Sequence, residues 1–561
     1  MKRFLSVLLI LALLLGMASV SAVAEGQELL TIDVYDDAAN YNGIQTGWFA
    51  KVIKDRFNIE LNIIASQVVG NTIYATRSQE GNLGDIILVD KAKFPEIVEA
   101  GLAKDISDKL PECENILKFK NQIDVYNQGL TGEEGKYFGI PTEMTDTSPT
   151  TLTDDVIYSS PMLRWDLYKE IGAPKLENLD DLLAALAKIH EIHPTNEDGD
   201  PAYPFSLWPD WDGNDNMIGI ANVVQLTTWY GEKLKGSAML KPDGTFSPLY
   251  DRGNAYYTIT KFLNKANQMG LVDPDSGTQN WDNAVSKMSS GRVDMMWYSW
   301  QVGFWNSVDR LNAGTAFRFI PVGDMNFYAD ADRYFGSDRM FGIGAAVEGE
   351  KYDRIMAFLD WYASPEGAVF QHNGIEGLNY VVENGKFKPY KDNALMDNLP
   401  VPDEFGGGGY NDGNNQINQW IVSALCVNPL TGERYAQKYW QSYKDMTMTE
   451  MKKEWTEMFG AEDDVAWMKQ NGKLLASPSV DFTPAADNND FIALRSEVNK
   501  CLCEYTWNLI MTCSTDEEFE AMWDEMITQM DGFGYQELFA HDCEVWQPEV
   551  DAKAAAAAAV Q

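Results

Sequence analysis

Apolar residues in the first hundred positions alternate between strand-like runs and helical spacing. Leu29 to Val34, LLTIDV, predicts a strand, followed by the polar and aromatic loop Tyr35 to Tyr41. Trp48 to Phe57 has apolar residues at helical intervals, Ile59 to Ile64 predicts a second strand, and Gly84 to Asp90, GDIILVD, a third. Strand, helix, strand, helix, strand is the rhythm of a parallel sheet with helices on its faces. The loops that carry Asp36, Asp37, Gln67 and Asp90 would then share one rim. Phe94 to Ala100 predicts a short helix, and Tyr137 to Pro141 a strand stopped by proline. The polar stretch Thr142 to Asp155 reads as a linker.

After this linker the pattern restarts. Val156 to Tyr158 predicts a short strand, Leu163 begins a helix, and Leu179 to His190 predicts another that stops before His193-Pro194. Tyr256 to Met269 is helical, and a further helix ends at Gly291. The strand Val293 to Met296 runs from it into Trp297, Tyr298, Trp300, Phe304 and Trp305. Rings crowded at the carboxyl end of a strand, in an open α/β sheet, stand where a ligand crevice is expected; core packing is the plainer reading of any one of them. Phe317 to Pro321 and Phe341 to Val347 predict strands, with the polar return stretch Gly323 to Asp338 between them. Helices are predicted at Lys351 to Tyr362, from Ser364-Pro365 onward, and at Ile417 to Leu425, Tyr435 to Met446, Phe491 to Thr512 and Thr515 to Met530. The alanine-rich end, 549–561, is expected to be disordered.

A chain of 561 residues is too long for one ordinary core, so at least two domains are expected. Its 44 basic and 84 acidic side chains give a net charge of −40, which argues against nucleic acid and against anionic lipid surfaces. Lys2-Arg3, the apolar run Phe4 to Leu15 and the small residues up to Ala24 have the order of a secretory signal peptide, so residues 1–24 are expected to be cleaved and the protein to be extracellular. No cysteine precedes Cys113, so a lipid anchor at the new amino terminus is not expected. Six cysteines are read as mostly buried, with one or two bridges near the carboxyl end. Asp210, Asp212, Asn214 and Asn216 alternate as calcium ligands do, but the loop lacks glycine at the sixth position and a carboxylate at the twelfth. It reads as a solvated turn, and no metal or other cofactor is expected.

GDIILVD at Gly84, GKYFGIP at Gly135, LRWDLYKEIGAP at Leu163, GLVDPDS at Gly270 and KMSSGRVDMMW at Lys287 form an ordered series. SPEGAVFQHNGIEGLNY at Ser364 and DEEFEAMWDEMITQMDGFGYQELF at Asp516 complete it. In order and spacing these segments resemble the extracellular solute-binding proteins of carbohydrate ABC importers, especially the long Gram-positive oligosaccharide-binding group. The resemblance implies an α/β fold of the type II periplasmic-binding-protein kind, with two lobes, parallel and mixed sheets flanked by helices, and a ligand cleft between the lobes. It implies crossings near residues 142–155, 323–338 and 378–384. The expected division is 25–147 and 331–380 in the amino-terminal lobe, and 148–330 and 381–548 in the carboxy-terminal lobe. The expected partners are an oligosaccharide and ABC permease subunits, and the protein is expected to be a monomer.

A sugar presents hydroxyls that pair with carboxylates, amides and guanidinium groups, and C–H faces that lie on aromatic rings. By position the polar candidates are Asp36, Asp37, Asn40, Gln67, Asp90 and Glu143, with Arg333 and Arg339 beside the return crossing and placed to bridge the lobes. Trp208, Trp211, Asp212, Trp297, Trp300 and Trp420 are the candidates from the second lobe. The alternatives are a peptide or cationic solute in the same fold, or a secreted glycoside hydrolase, since two carboxylates at a suitable separation can occur by chance among 84 acids. No Gly-x-Ser-x-Gly elbow, His-Glu-x-x-His or phosphate loop is present, and no catalytic residue is assigned.

Overall fold

The computed structural model describes residues 28–39, 41–70, 72–213, 218–390, 400–409, 417 and 419–559. The chain divides into two compact units, the first comprising residues up to Thr151 with Asp332–Thr447, the second Leu152–Ala331 with the residues from Met448 onward. Residues 381–447, expected in the carboxy-terminal lobe, therefore belong with the first unit.

The first unit is built on a six-stranded sheet in the order Gly43–Ile44, Ile59–Ala65, Leu30–Asp36, Ile86–Asp90, Arg339–Ile343, Gly139–Pro141. Leu30–Asp36 pairs in parallel with both neighbours, whereas Arg339–Ile343 runs antiparallel to both of its own. Ile86 to Val89 are wholly buried because both faces of the sheet are covered. On one face lie Ile32, Val34, Ile63 and Leu88 under the helices Gly47–Phe57 and Gly349–Tyr362. On the other, Tyr35, Ile87 and Val89 meet Phe94 and Ile97. Gly139 and Gly342 pair directly across the antiparallel edge, and a Cβ on either would come within 2.8 and 2.6 Å of the Phe94 ring. Their lack of side chains makes the space that the ring fills.

The second unit centres on Ser159–Arg164, flanked by the antiparallel strands Met295–Tyr298 and Phe317–Phe319. Pro161 lies inside this central strand, which is why a strand is predicted only before it. Proline has no N–H for the ladder, and the pairing with Met295–Tyr298 slips by one residue where Ser160 and Pro161 stand opposite Trp297. Around this core pack Leu179–Ile192, Ala255–Gln268, Asn489–Thr512, Asp516–Gly532 and Tyr535–Ala558. The Asn178 side chain caps the first of these through the Asp181 N–H, and Asn264 ties the second to the carbonyls of Leu509 and Cys513 at 2.8 Å.

Further expectations are corrected. Ile417 to Leu425 is not a helix: the backbone carbonyls of Trp420 and Ile421 accept from the N–H groups of Glu143 and Met144. Tyr435 to Met446 keeps only the helix Gln441–Met446 after a 3-10 turn. The carboxyl end is helical through Ala558, where Lys235 pairs with Glu549 at 2.5 Å and Lys553 with the same carboxylate at 3.1 Å. All six cysteines are free thiols, so the expected bridges are absent. Among the described residues no helix is long and apolar enough to cross a membrane.

Candidate functional site

In the first unit the strands Leu30–Asp36, Ile59–Ala65 and Ile86–Asp90 run in parallel, so their carboxyl ends form one rim. Arg339–Ile343 enters that sheet in the opposite sense, which places its first residue, Arg339, in register with Asp90 at the same rim. The guanidinium donates from Nη2 to Asp36 at 2.7 Å and to the Leu88 carbonyl at 3.1 Å, and pairs with Asp37 at 3.0 Å. Asp37 in turn accepts from the Asp90 N–H at 3.1 Å, and Asp90 accepts from the Ala92 N–H at 2.7 Å. Asp36 is 1% exposed. Burial pushes its carboxyl up to about 6, against the pull of Arg339. Among the described residues its Oδ2, like Nε of Arg339, has no hydrogen-bond partner.

Farther along the same unit Glu143 adopts a left-handed backbone, φ 54°, with its N–H on the Trp420 carbonyl at 2.8 Å. Its carboxylate pairs with Arg333 at 2.6 Å. Trp420, expected from the second lobe, lies in the first unit, with its ring edge against His372 at 5.2 Å. Both arginines placed to bridge the lobes thus pair within the first unit. Asn40 and the side chain of Gln67 lie outside the described residues.

The second unit gathers rings from four stretches of chain. Trp208 and Trp297 are 0% and 1% exposed and stacked, so they form the floor. Trp211 and Trp281 lie above them, each 4.6 Å from its next indole: Trp281 from Trp208 and Trp211 from Trp281. Trp300 stacks on Tyr298 at 5.0 Å, and Tyr158 meets the same tyrosine edge-on at 5.3 Å. Trp300 is 38% exposed and Tyr158 58%. An exposed ring held by packed rings beneath keeps its face fixed at little entropic cost on contact with a ligand.

Tyr158 was missed from sequence because it joins the face only through the pairing of Ser159 with Tyr298. Trp281 and Phe304 also border the face, and the aromatic run itself was their signal. Trp305 is elsewhere engaged, between the guanidinium groups of Arg164 and Arg310.

Asp212 accepts from the Ala221 N–H at 3.0 Å and from the Trp507 indole at 2.7 Å, while Asp210 accepts from the Trp281 N–H at 2.7 Å. These bonds make both carboxylates fasteners of the aromatic loop; burial pushes Asp212 up to about 6. Asn214 and Asn216 lie outside the described residues. Among the described residues one triad, Asp487, His541 and Asp542, brings possible metal ligands within 4.8 Å of one another. Arg495 already engages it, donating to Asp542 at 2.7 and 2.8 Å and to Asp487 at 2.8 Å.

Two α/β units, a charged strand-end rim in one and a supported aromatic face in the other, define a binding protein of the two-unit kind. Residues 42–369 match the bacterial extracellular solute-binding protein family, and the chain belongs to that family. The lipoprotein LipO of Bacillus subtilis (strain 168) is 24% identical over 321 residues, which is 55% of this chain and 58% of that protein, so the match spans little more than half the relative's length. Among solved structures, an HMO-binding, ABC-transporter-associated solute-binding protein from Bifidobacterium longum infantis is similar with a TM-score of 0.59. It is 14% identical, and the match covers 94% of this chain and all of that one. The S. pneumoniae ABC-transporter substrate-binding protein FusA, in complex with kestose, gives a TM-score of 0.57 at 13% identity, covering 93% and 99%. These likenesses establish the fold, that of type II periplasmic-binding-protein-like solute-binding proteins.

Proposed function

We propose that this protein captures an oligosaccharide outside the cell and hands it, unaltered, to the membrane subunits of an ABC transporter. The observation that carries the reading is the aromatic face of the second unit, where Trp300 and Tyr158 are open to solvent on a bed of packed rings. Rings of this kind cover the C–H faces of pyranoses, and the carboxylates of the first unit, Asp37 and Asp90 foremost, supply acceptors for hydroxyls. Relatives described as binding HMO or kestose support a sugar over a peptide. The protein acts as a monomer, reaches the exterior through a cleaved leader and carries out no chemistry on its ligand.

The test is tryptophan fluorescence with a parallel thermal melt against a panel of oligosaccharides. One sugar should shift the emission and raise the melting temperature, and chromatography should recover it intact. At a hundred times its Kd, a ligand adds about 2.7 kcal/mol of stability. Silence across the panel counts against the reading, and cleaved sugar would replace it with hydrolysis.

A further inference from the structure

Resting on the oligosaccharide reading, we infer that Gln301 is a positioning residue for sugar binding: its buried amide oxygen fixes the backbone that presents the exposed Trp300 ring to the ligand. Gln301 is wholly buried, although it directly follows the exposed Trp300. Its Oε1 accepts from the N–H groups of Trp297 and Tyr298 at 3.1 and 3.0 Å. Both neighbours are donors, so an acceptor must face them. Among the described residues Nε2 has no hydrogen-bond partner, so it is the two bonds at Oε1 that offset the cost of burying the amide.

The two bonds fall where the sheet is irregular. Pairing between Met295–Tyr298 and Ser159–Arg164 slips at Trp297, and a slip of this kind disrupts the ladder locally. By reaching back from beyond Trp300, Gln301 closes the turn from Tyr298 with a side chain. Inside that turn the Trp300 ring stacks on Tyr298 at 5.0 Å, with the planes inclined by 25°. The Ser299 N–H donates to the Tyr158 carbonyl and the Gly303 N–H to the Trp300 carbonyl, both at 3.0 Å, so the turn also ties in the second exposed ring. Gln301 holds the N–H of Tyr298, the residue whose ring carries Trp300. Releasing that N–H would loosen the stacked pair, and a sugar would then have to order it on binding, at an entropic cost.

The experiment is a double-substitution cycle on the full-length protein, read by titration calorimetry. Kestose, lacto-N-tetraose, mannotetraose, galactotetraose, xylotetraose and cellotetraose are screened, and the sugar that binds the parent is the probe. Gln301→Met has a side chain of similar length with no oxygen to offer. It should weaken binding roughly fivefold, much as Trp300→Ala does, and the double variant should bind within about twofold of Trp300→Ala alone, because losses that act through one contact do not add. Gln301→Glu restores an oxygen at the same reach and should recover most of the binding. Melting curves verify that each variant folds. If Gln301→Met does not, Gln301→Asn, whose amide is a methylene too short for the two N–H groups, takes its place in the cycle.

Losses that add in the double variant overturn the inference, since Gln301 would then support the second unit in general rather than Trp300. An unchanged Kd in Gln301→Met overturns it too, as does a folded Gln301→Glu protein that binds no better than Gln301→Met. Each of these leaves the oligosaccharide reading intact. If no sugar of the series binds the parent, the oligosaccharide reading fails and takes this inference with it.

Discussion

Trp208 and Trp297 lie 5.5 Å apart with ring planes inclined by 7°, and neither touches solvent. Two indoles in the same aromatic cluster as the exposed Trp300 thus have a different task. They hold the floor, and their Nε1 atoms are buried without partners among the described residues, a cost that tight packing of the rings offsets.

Trp297→Ala should therefore destabilise the second unit by about 3–5 kcal/mol, the range for losing a large buried ring. Trp300→Ala should cost less than about 1 kcal/mol in stability yet weaken sugar binding severalfold. Urea unfolding and a fluorescence titration on both variants separate the two tasks. Equal loss of stability in the two would contradict the division into floor and face.

The strands of the first unit were legible because a buried parallel strand is a short apolar run, as in Ile86 to Val89. Arg339 was found from its place beside the return stretch, but its pairing with Asp36 was not, because that depends on an antiparallel strand inserted about three hundred residues later. In the second unit Pro161 hid a central strand, since the extra residue that accommodates it, Ser160 and Pro161 opposite the single Trp297, shows only once the strands are paired. Ile417, Ile421 and Leu425 have helical spacing, yet the backbone there bonds to Glu143 and Met144, so long-range hydrogen bonding overrode periodicity. The tryptophans were recognised as a group, while burial alone separates Trp208 and Trp297 from Trp300.

Free thiols at Cys113, Cys426, Cys501, Cys503, Cys513 and Cys543 lead to a simple expectation. A reducing agent should leave the melting temperature unchanged, and a thiol reagent should label all six cysteines after unfolding but few before. Burial raises the Cys113 thiol to about 12, which keeps it unreactive in the folded protein. A melting temperature lowered by reductant would show a bridge.

His372 is half-buried in the first unit, with Nε2 2.8 Å from the Val422 carbonyl, and its desolvation lowers it to about 4 from an ordinary 6.5. The unfolded chain takes up this proton first. Its contribution is full above pH 6.5 and is lost as the pH falls through 4, a change of about 3 kcal/mol. His372→Gln, which retains a side-chain donor for Val422, should flatten the dependence of the urea midpoint on pH in that window.

The Arg339 pair offers the opposite sign. Asp36 is raised to about 6 from 3.8, so the folded state binds the proton more tightly than the unfolded chain. That contribution is full below pH 3.8 and is lost as the pH rises through 6. Removing the guanidinium by Arg339→Met leaves an uncompensated carboxylate 1% exposed, and at pH 7.5 the cost should be about 3–5 kcal/mol. At pH 5 the cost should shrink, because Asp36 can then stay protonated. The titration of His372 falls in the same pH range with the contrary sign, so the informative quantity is the difference between variant and parent at each pH, in which the histidine cancels. A second variant, Arg339→Met with Asp36→Asn, removes both charges and should recover most of the stability at pH 7.5. If the single variant is equally unstable at pH 5 and 7.5, or the double variant is no better than the single, then Arg339 acts through its bond to the Leu88 carbonyl rather than through Asp36.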